Sequence, residues 1–177
     1  IVEVESSNVS NSALYNDGSS VMVVDKASLG ASASGKNTVN VLKGTVTLSN
    51  AIITNPGAPS RNGEKDEIID AVRKFFPEDK IEHIKAPGTL EGGDVMMVGD
   101  HFYVGRSART NEEGIRQFIA ILEKHGLSGS EVTLEEVLHL KTGVNYLENG
   151  NMLVSGEFVS KPEFQKYNRI EIPEEEA

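Results

Sequence analysis

The chain has 177 residues, of which 38% are apolar and 25% charged, so it can build the hydrophobic core of an ordinary globular protein. Its 27 acidic residues exceed its 17 basic ones and give a net charge of −10, which disfavours a phosphate backbone as partner because phosphate-binding cations are in deficit. No apolar run reaches the roughly 20 residues that cross a bilayer, and no basic-then-apolar targeting pattern opens the chain. We therefore expect a cytoplasmic protein that binds neither nucleic acid nor membrane.

The composition also narrows the chemistry. The sequence has no cysteine, so it has no disulfide, no thiolate metal site and no thiol nucleophile. The histidines show no spacing typical of a metal site, and no glycine-rich phosphate loop follows a strand, so we expect no metal and no cofactor. The negative charge would attract a small cationic substrate, and it is also typical of a protein that simply stays in solution.

Residues 1–38 differ in composition from residues 39–177. The first stretch is rich in Ser, Asn, Gly and Ala, which bury too little apolar surface to offset chain entropy. We expect it to be a leader of mostly irregular structure, with one strand at Val21–Val24 and no assignable role. Residues 39–177 are predicted to form the folded domain.

This second part of the chain repeats a hairpin pattern with a period of about 50 residues. Each copy has two short β-rich runs around a turn that contains Gly, Asn or Asp, which is the signature of a hairpin. The three copies cover Leu42–Thr54, Leu90–Gly105 and Leu140–Gly156. A period of this length is typical of repeat and propeller architectures.

A helix pattern follows each hairpin, and a strand-like run precedes the next one. The predicted helices are Glu64–Phe76, Glu112–His125 and a shorter one that starts at Ser160–Phe164. The strand-like runs are Ile81–Ile84 and Val132–Leu134. Thr110 or Asn111 can cap the second helix, and Gly126 can end it. The predicted class is therefore α/β, with ββαβ units of which about three are visible and whose radial closure would bury the inner strand ends.

Two residues at nearly equivalent places in the repeat could carry chemistry. Glu91 begins the second hairpin and His139 lies just before the third. A carboxylate beside an imidazole is a general acid–base pair, and Gly92-Gly93 after Glu91 would leave room for a ligand. The alternative is that the glycines only make a bend and that His139 only satisfies a strand end.

Arg61 and Arg109 are also equivalent in the repeat, because each lies just before a helix. Either arginine could bind a substrate carboxylate with two parallel hydrogen bonds. Either could equally pair with the glutamate in the same helical turn, as surface ion pairs commonly do. The remaining histidines show no ligand spacing and are expected to be surface or strand residues; they are His83, His101 and His125.

Several strings occur together in an order and spacing that resemble a known family. They are Asn55–Arg61, Leu90–Val95, Val104–Asn111 and His139–Lys141, within a similarity that covers about residues 51–177. The stretch resembles the dimethylarginine dimethylaminohydrolases of the amidinotransferase, or pentein, superfamily. That resemblance implies a five-bladed α/β propeller of ββαβ units.

The resemblance also implies an activity and a set of site residues. Members of the family hydrolyse methylated arginine to citrulline and an amine, with a cysteine thiolate that attacks the guanidinium carbon and a histidine that shuttles protons. Glu91 would be the acidic residue of this mechanism and His139 its histidine. The implied substrate-binding residues are Arg61, Arg109, Leu90 and Gly92. The implied partner is a small guanidino compound, methylarginine or arginine.

The chain also departs from the family pattern. It lacks the nucleophilic cysteine, and Lys43-Gly44 stands where the family has an acidic pair. Residues 1–38 do not resemble the family's first strand and helix. We expect that this chain does not complete the reaction alone, and that a homo-oligomer or a completing chain could supply what is missing. The alternatives are a non-catalytic propeller of designed, recombined or degenerate origin, and a binding module for guanidino ligands.

Overall fold

The computed structural model describes residues 50–173 in full and, within residues 1–49, the backbone of seven strands. The chain divides into two compact units. The first comprises Ile1–Ile53 and Gly63–His83, and the second comprises Thr54–Asn62 and Ile84–Ala177. Within the described residues, no helix combines the length and the apolar character that crossing a membrane requires.

The seven strands described within residues 1–49 form parallel pairs. They are β1 (Val2–Glu5), β2 (Asn8–Val9), β3 (Leu14–Asp17), β4 (Met22–Asp25), β5 (Ser28–Leu29), β6 (Val39–Lys43) and β7 (Val46–Leu48). The pairs form the sheets β1-β4-β7, β2-β5 and β3-β6. The leader thus contains more strand than its composition predicted, and β4 corresponds to the one strand expected there.

The first predicted hairpin is wrong. Its two runs become β7 and β8 (Ala51–Ile53), but β7 pairs with β4 while β8 pairs in parallel with β9 (Ile81–His83). Ser49-Asn50 is a weaker turn signal than Asn-Gly or Asp-Gly, so local sequence does not force the two runs together. The helix α1 (Glu64–Val72) connects β8 to β9.

A small core holds this β8-α1-β9 segment together. It consists of Ile53, Phe76 and Ile81, with Ala51, Ile69 and Val72 packed against it. The helix was predicted to reach Phe76 but ends at Val72, and the chain continues in turns, as the hydrogen bond from Phe75 N–H to the Val72 carbonyl shows. Pro77 disfavours helical backbone at Phe76, so the helix could not have continued through that residue.

The second unit contains one complete ββαβ motif. The strand β10 (Val95–Val98) pairs antiparallel with β11 (His101–Arg106), and β12 (Ser128–Thr133) pairs in parallel with β11 after the helix α2 (Glu112–Lys124). Gly99 makes the hairpin turn with a φ of 59°, a conformation that favours glycine. The predicted second hairpin and second helix are confirmed.

The ends of α2 also agree with the sequence. The Asn111 side chain accepts a hydrogen bond from Gly114 N–H at 2.8 Å and caps the helix, and Gly126 follows its C-terminus with a φ of 74°. One face of α2 is buried, and its apolar residues there include Ile115, Phe118 and Leu122.

The third repeat keeps its strands but not its helix. A single helical turn, α3 (Leu140–Gly143), precedes the antiparallel pair β13 (Val144–Tyr146) and β14 (Asn151–Val154), and β15 (Asn168–Glu171) pairs in parallel with β14. The helix predicted at Ser160 is replaced by two 3-10 turns, Gly156–Val159 and Pro162–Phe164. The core of this region includes Tyr103, Leu140, Met152, Phe158 and Phe164.

We predict that Gly114→Ala destabilises the chain although alanine is the better helix former. A Cβ at Gly114 would lie 1.9 Å from the Thr89 carbonyl oxygen, so backbone would have to move, at a cost of about 1–3 kcal/mol. Urea denaturation checks this. The control is Gly92→Ala, where a Cβ meets nothing within 4 Å and the change should stay within about 0.5 kcal/mol. Equal stabilities for the two variants would contradict the prediction.

Candidate functional site

Two acidic residues flank one short turn in the second unit. The 3-10 turn Gly92–Asp94 leads into β10, with Glu91 immediately before it and Asp94 at its end. Leu90 anchors the segment, since its side chain is fully buried and its N–H donates to the Asn55 carbonyl at 2.8 Å. The turn therefore presents two carboxylates from a fixed backbone.

Glu91 is 5% exposed and has a partner on each carboxylate oxygen. Oε2 accepts a hydrogen bond from Arg61 Nη1 at 2.8 Å, and Oε1 accepts one from Ala58 N–H at 3.3 Å. Its own N–H donates to Thr110 Oγ1 at 3.0 Å. The carboxylate is thus held by the segment that contains the 3-10 turn Pro59–Arg61.

Asp94 has no solvent-exposed surface and accepts three hydrogen bonds from neutral donors. Ser107 Oγ and Thr110 Oγ1 donate to Oδ2 at 2.7 and 2.6 Å, and Leu140 N–H donates to Oδ1 at 3.0 Å. Asp94 is a residue of this cluster that was not predicted from the sequence. Its position three residues after Glu91 is the signal that could have shown it, because both ends of a Glu-Gly-Gly-Asp turn can face one site.

His139 lies between the two acids. Its Nε2 is 3.6 Å from Glu91 Oε2, and its Nδ1 is 3.3 Å from Asp94 Oδ1. The side chain is 22% exposed, but Nδ1 is buried and makes no hydrogen bond. Gly93 lies against the ring, since a Cβ there would be 2.8 Å from His139 Cγ. The structure therefore brings Glu91 and His139 together, as the repeat suggested.

The two repeat-equivalent arginines have different surroundings. Arg61 is 45% exposed and pairs with Glu91, whose carboxylate lies 2.8 Å from its Nη1. Arg109 is partly buried, its N–H donates to Ser107 Oγ, and its guanidinium has no ion pair or hydrogen bond with any residue that the structure describes. Gly57 packs on the Arg109 backbone, where a Cβ would come within 2.1 Å of the carbonyl oxygen.

The other predicted site residues also differ from one another in their surroundings. Gly92 has open space where a Cβ would be, whereas the buried side chain of Leu90 belongs to the core. His101 lies outside the cluster and contacts Ser128 Oγ and Ser130 Oγ, each at 2.8 Å. In the described part of the chain, no group of three or more His, Asp or Glu side chains could hold a metal ion. The side chains of Lys43-Gly44 lie outside the described residues.

Lys141 adds a positive charge beside the cluster. It follows His139 by two residues, and burial lowers the pKa of its ammonium to about 8, while the negative charge of Asp94 opposes the shift. A lysine with this pKa is partly neutral near physiological pH.

A partly buried carboxylate, that of Glu157, holds the segment that leads to His139. Glu157 accepts hydrogen bonds from the N–H groups of Glu135, Glu136 and Val137 at 2.9 to 3.3 Å, and Lys161 Nζ lies 2.9 Å from Oε2. Three consecutive N–H groups form an anion-binding nest, which here binds a carboxylate of the chain itself. Burial alone raises the pKa of Glu157, but the backbone donors and Lys161 outweigh it and lower this pKa.

Comparison with known proteins shows which sequences this chain is related to. The sequence model described as arginine deiminase matches residues 37–176. The N(G),N(G)-dimethylarginine dimethylaminohydrolase of Pseudomonas aeruginosa is 69% identical over 127 residues, which are 72% of this chain and 50% of that protein. The chain spans about half the length of the curated relatives it matches.

Solved structures with a similar fold include relatives of the same kind. A Cys-to-Ser mutant of the P. aeruginosa enzyme complexed with citrulline superposes with a TM-score of 0.71 at 54% identity, covering 86% of this chain and 60% of that one. The N-terminal domain of ArgZ, a cyanobacterial arginine dihydrolase, superposes with a TM-score of 0.63 at 14% identity, covering 78% and 59%. The second likeness concerns the fold alone, which is the α/β fold of these enzymes.

We predict that Glu157→Gln destabilises the chain by about 1–3 kcal/mol at neutral pH, because the amide loses the charge that three N–H groups and Lys161 stabilise. The difference should shrink as pH falls through the lowered pKa of Glu157, where the native carboxylate also becomes neutral. Urea denaturation at several pH values measures both effects. Glu136→Gln removes an exposed carboxylate from the same segment and is the control; an equal loss there would contradict the prediction.

Lys141 leads to a pH prediction in the alkaline range. Between about pH 8 and 10.5 the unfolded lysine still binds a proton that the folded one has released, so the free energy of unfolding should rise with pH in this window. The total rise is on the order of 3 kcal/mol. Lys141→Met should remove this part of the slope, as measured by urea denaturation across the window. Lys85→Met, which removes an exposed lysine, should keep the slope; an unchanged slope in Lys141→Met would refute the assignment.

Proposed function

Because the chain belongs to the arginine deiminase family, we propose that it contributes the guanidinium-binding and proton-transfer groups of an amidine-hydrolase site. The likeness to dimethylarginine dimethylaminohydrolases over 72% of the chain favours methylated arginine as the ligand. The observation that carries the proposal is the position of His139 between two buried carboxylates, with Nε2 3.6 Å from Glu91 and Nδ1 3.3 Å from Asp94.

This arrangement suits the chemistry of a guanidinium. Glu91 provides a buried negative charge that can bind the cation, and its partner Arg61 shows that a guanidinium fits against Oε2. An imidazole within reach of the same oxygen can take a proton from an attacking group and return it to the leaving amine. Hydrolysis of dimethylarginine consumes one water, breaks the bond between the guanidinium carbon and the dimethylated nitrogen, and yields citrulline and dimethylamine.

The nucleophile of that reaction defines the limit of the proposal. The family's mechanism uses a cysteine thiolate, and these 177 residues include no cysteine. For these residues we therefore propose ligand binding and proton transfer, with the covalent step dependent on a thiol that lies outside them. A guanidino-ligand binding module without turnover is the second candidate, which the same observation favours.

The ligand's α-carboxylate would bind Arg109. The guanidinium of Arg109 has no acidic partner among the described residues, although the net charge of the chain is −10. Arg61 is the other candidate for this role, although it would have to leave Glu91 to reach a carboxylate. Gly92 has open space next to Glu91, which would admit the ligand, and the backbone of Leu90 would line the same place.

The repeat suggests how the site would be completed. The ββαβ motif of β10, β11, α2 and β12 and the related strands β13, β14 and β15 are proposed to be blades of a propeller that residues 39–177 form in part. The remaining blades of such a propeller would lie outside these 177 residues.

Calorimetric titration tests the proposal, alongside an assay of citrulline release. The ligands are dimethylarginine and N,N-dimethylguanidine, which keeps the guanidinium but lacks the carboxylate. We expect Glu91→Gln to weaken both ligands at least about tenfold, the effect of losing one charged hydrogen bond. Arg109→Gln should weaken only dimethylarginine. Arg116→Gln is the control, because Arg116 is exposed and paired with Glu113 on α2.

The outcomes separate the candidates. Binding without citrulline release supports the proposal for this chain and the binding module alike, and release on addition of a segment that carries a thiol nucleophile would favour the hydrolase. Absence of binding by the folded chain, or equal affinities in Glu91→Gln and Arg116→Gln, would overturn the proposal.

A further inference from the structure

We infer that Asp94, and not Glu91, orients the imidazole of His139 and holds it in the tautomer that carries its proton on Nδ1. Asp94 would be a positioning residue, since it has no exposed surface and acts through the histidine. The inference rests on the proposed function for its chemical meaning, but the geometry that carries it is independent of any ligand.

The surroundings of Nδ1 of His139 are the first observation that supports this role of Asp94. This nitrogen is buried and has no hydrogen-bond partner within the described structure, although Asp94 Oδ1 is only 3.3 Å away. A buried N–H or lone pair without a partner costs about 1–3 kcal/mol, so a small rotation that aims Nδ1–H at Oδ1 is favourable. Hydrogen bonds in sites without ligand are often long or poorly aligned, and they shorten when the site is occupied.

The carboxylate of Asp94 can accept one more hydrogen bond. Oδ2 accepts from the hydroxyls of Ser107 and Thr110, whereas Oδ1 accepts from Leu140 N–H among the described residues. A carboxylate oxygen has two lone pairs. The same oxygen can therefore bind the backbone of Leu140 and the ring of the residue before it, which ties main chain and side chain together.

Glu91 does not orient the imidazole of His139. Its Oε2 already accepts from Arg61 at 2.8 Å, and the imidazole nitrogen that approaches it, Nε2, is 3.6 Å away. That distance is too long for a hydrogen bond. Gly93 packs on the ring and so restricts its rotation.

The consequence is a division of labour between the two nitrogens of His139. With the proton on Nδ1 facing Asp94, Nε2 keeps a lone pair on the Glu91 side of the ring. An unprotonated Nε2 can accept a proton from an attacking group, and the resulting cation can return that proton to a leaving amine. In the other tautomer Nε2 would already carry a proton and could not act as a base.

Nitrogen-15 NMR of histidine-labelled protein tests the inference at about pH 9, where imidazoles are neutral. The chain has four histidines, and loss of one signal set in His139→Gln assigns His139. We expect the unchanged chain to show protonated Nδ1 and unprotonated Nε2 at this residue. The opposite pattern overturns the inference, and this result requires no variant of Asp94.

Variants then identify the residue responsible. Asp94→Ala should change His139 from the Nδ1–H form to a majority of the Nε2–H form. Asp94→Asn should preserve the Nδ1–H form, because Leu140 N–H keeps a carbonyl oxygen at the Oδ1 position. Glu91→Gln should leave the tautomer unchanged; a switch in Glu91→Gln, or none in folded Asp94→Ala, overturns the inference. If near-ultraviolet circular dichroism shows Asp94→Ala to be unfolded, the unchanged chain and Glu91→Gln decide.

Failure of the two proposals can be told apart. An Nδ1–H imidazole in a chain that binds no guanidino ligand would sink the proposed function and keep the role of Asp94. Ligand binding with an Nε2–H imidazole in the unchanged chain would do the reverse.

Discussion

The candidate site depends on the burial of one carboxylate, that of Asp94. Two separate segments donate three hydrogen bonds to it, one through Ser107 and Thr110 and the other through the backbone of Leu140. Because a buried carboxylate that loses a donor costs about 1–3 kcal/mol, these segments are held in one arrangement. Glu91 and His139 are each close in sequence to these anchored residues. Their approach to 3.6 Å follows from the network and does not require an attraction of their own.

The partners of the two acids differ in charge, and this difference separates the roles of the two acids. Glu91 is balanced by the guanidinium of Arg61, so any cationic ligand has to share or replace that partner. Asp94 is out of reach of solvent and is stabilised by neutral donors, so it can influence a reaction only through the residue that touches it. One acid is thus suited to binding and the other to orientation, although both flank a turn of three residues.

Local signals predicted the elements that local interactions decide. The cap at Asn111 and the glycine turn at Gly99 each act within a few residues, and both α2 and the hairpin β10–β11 follow from them. Long-range partners decide the rest. Asp94 meets Ser107 and Leu140 across 13 and 46 residues, and Arg61 meets Glu91 across 30. Sequence spacing could suggest that Glu91 and His139 face one place, but not which acid contacts which nitrogen.

The repeat explains why two equivalent arginines differ. Arg61, before the helix of one repeat, pairs with the residue that follows the first leucine of the next repeat, Glu91 after Leu90. The residue in the equivalent place one repeat later, after Leu140, is Lys141. A second copy of the Arg61–Glu91 contact would therefore set Arg109 against a cation, which is unfavourable. A repeat fixes backbone positions but not charges, and this substitution leaves Arg109 without the acid that its counterpart has among the described residues.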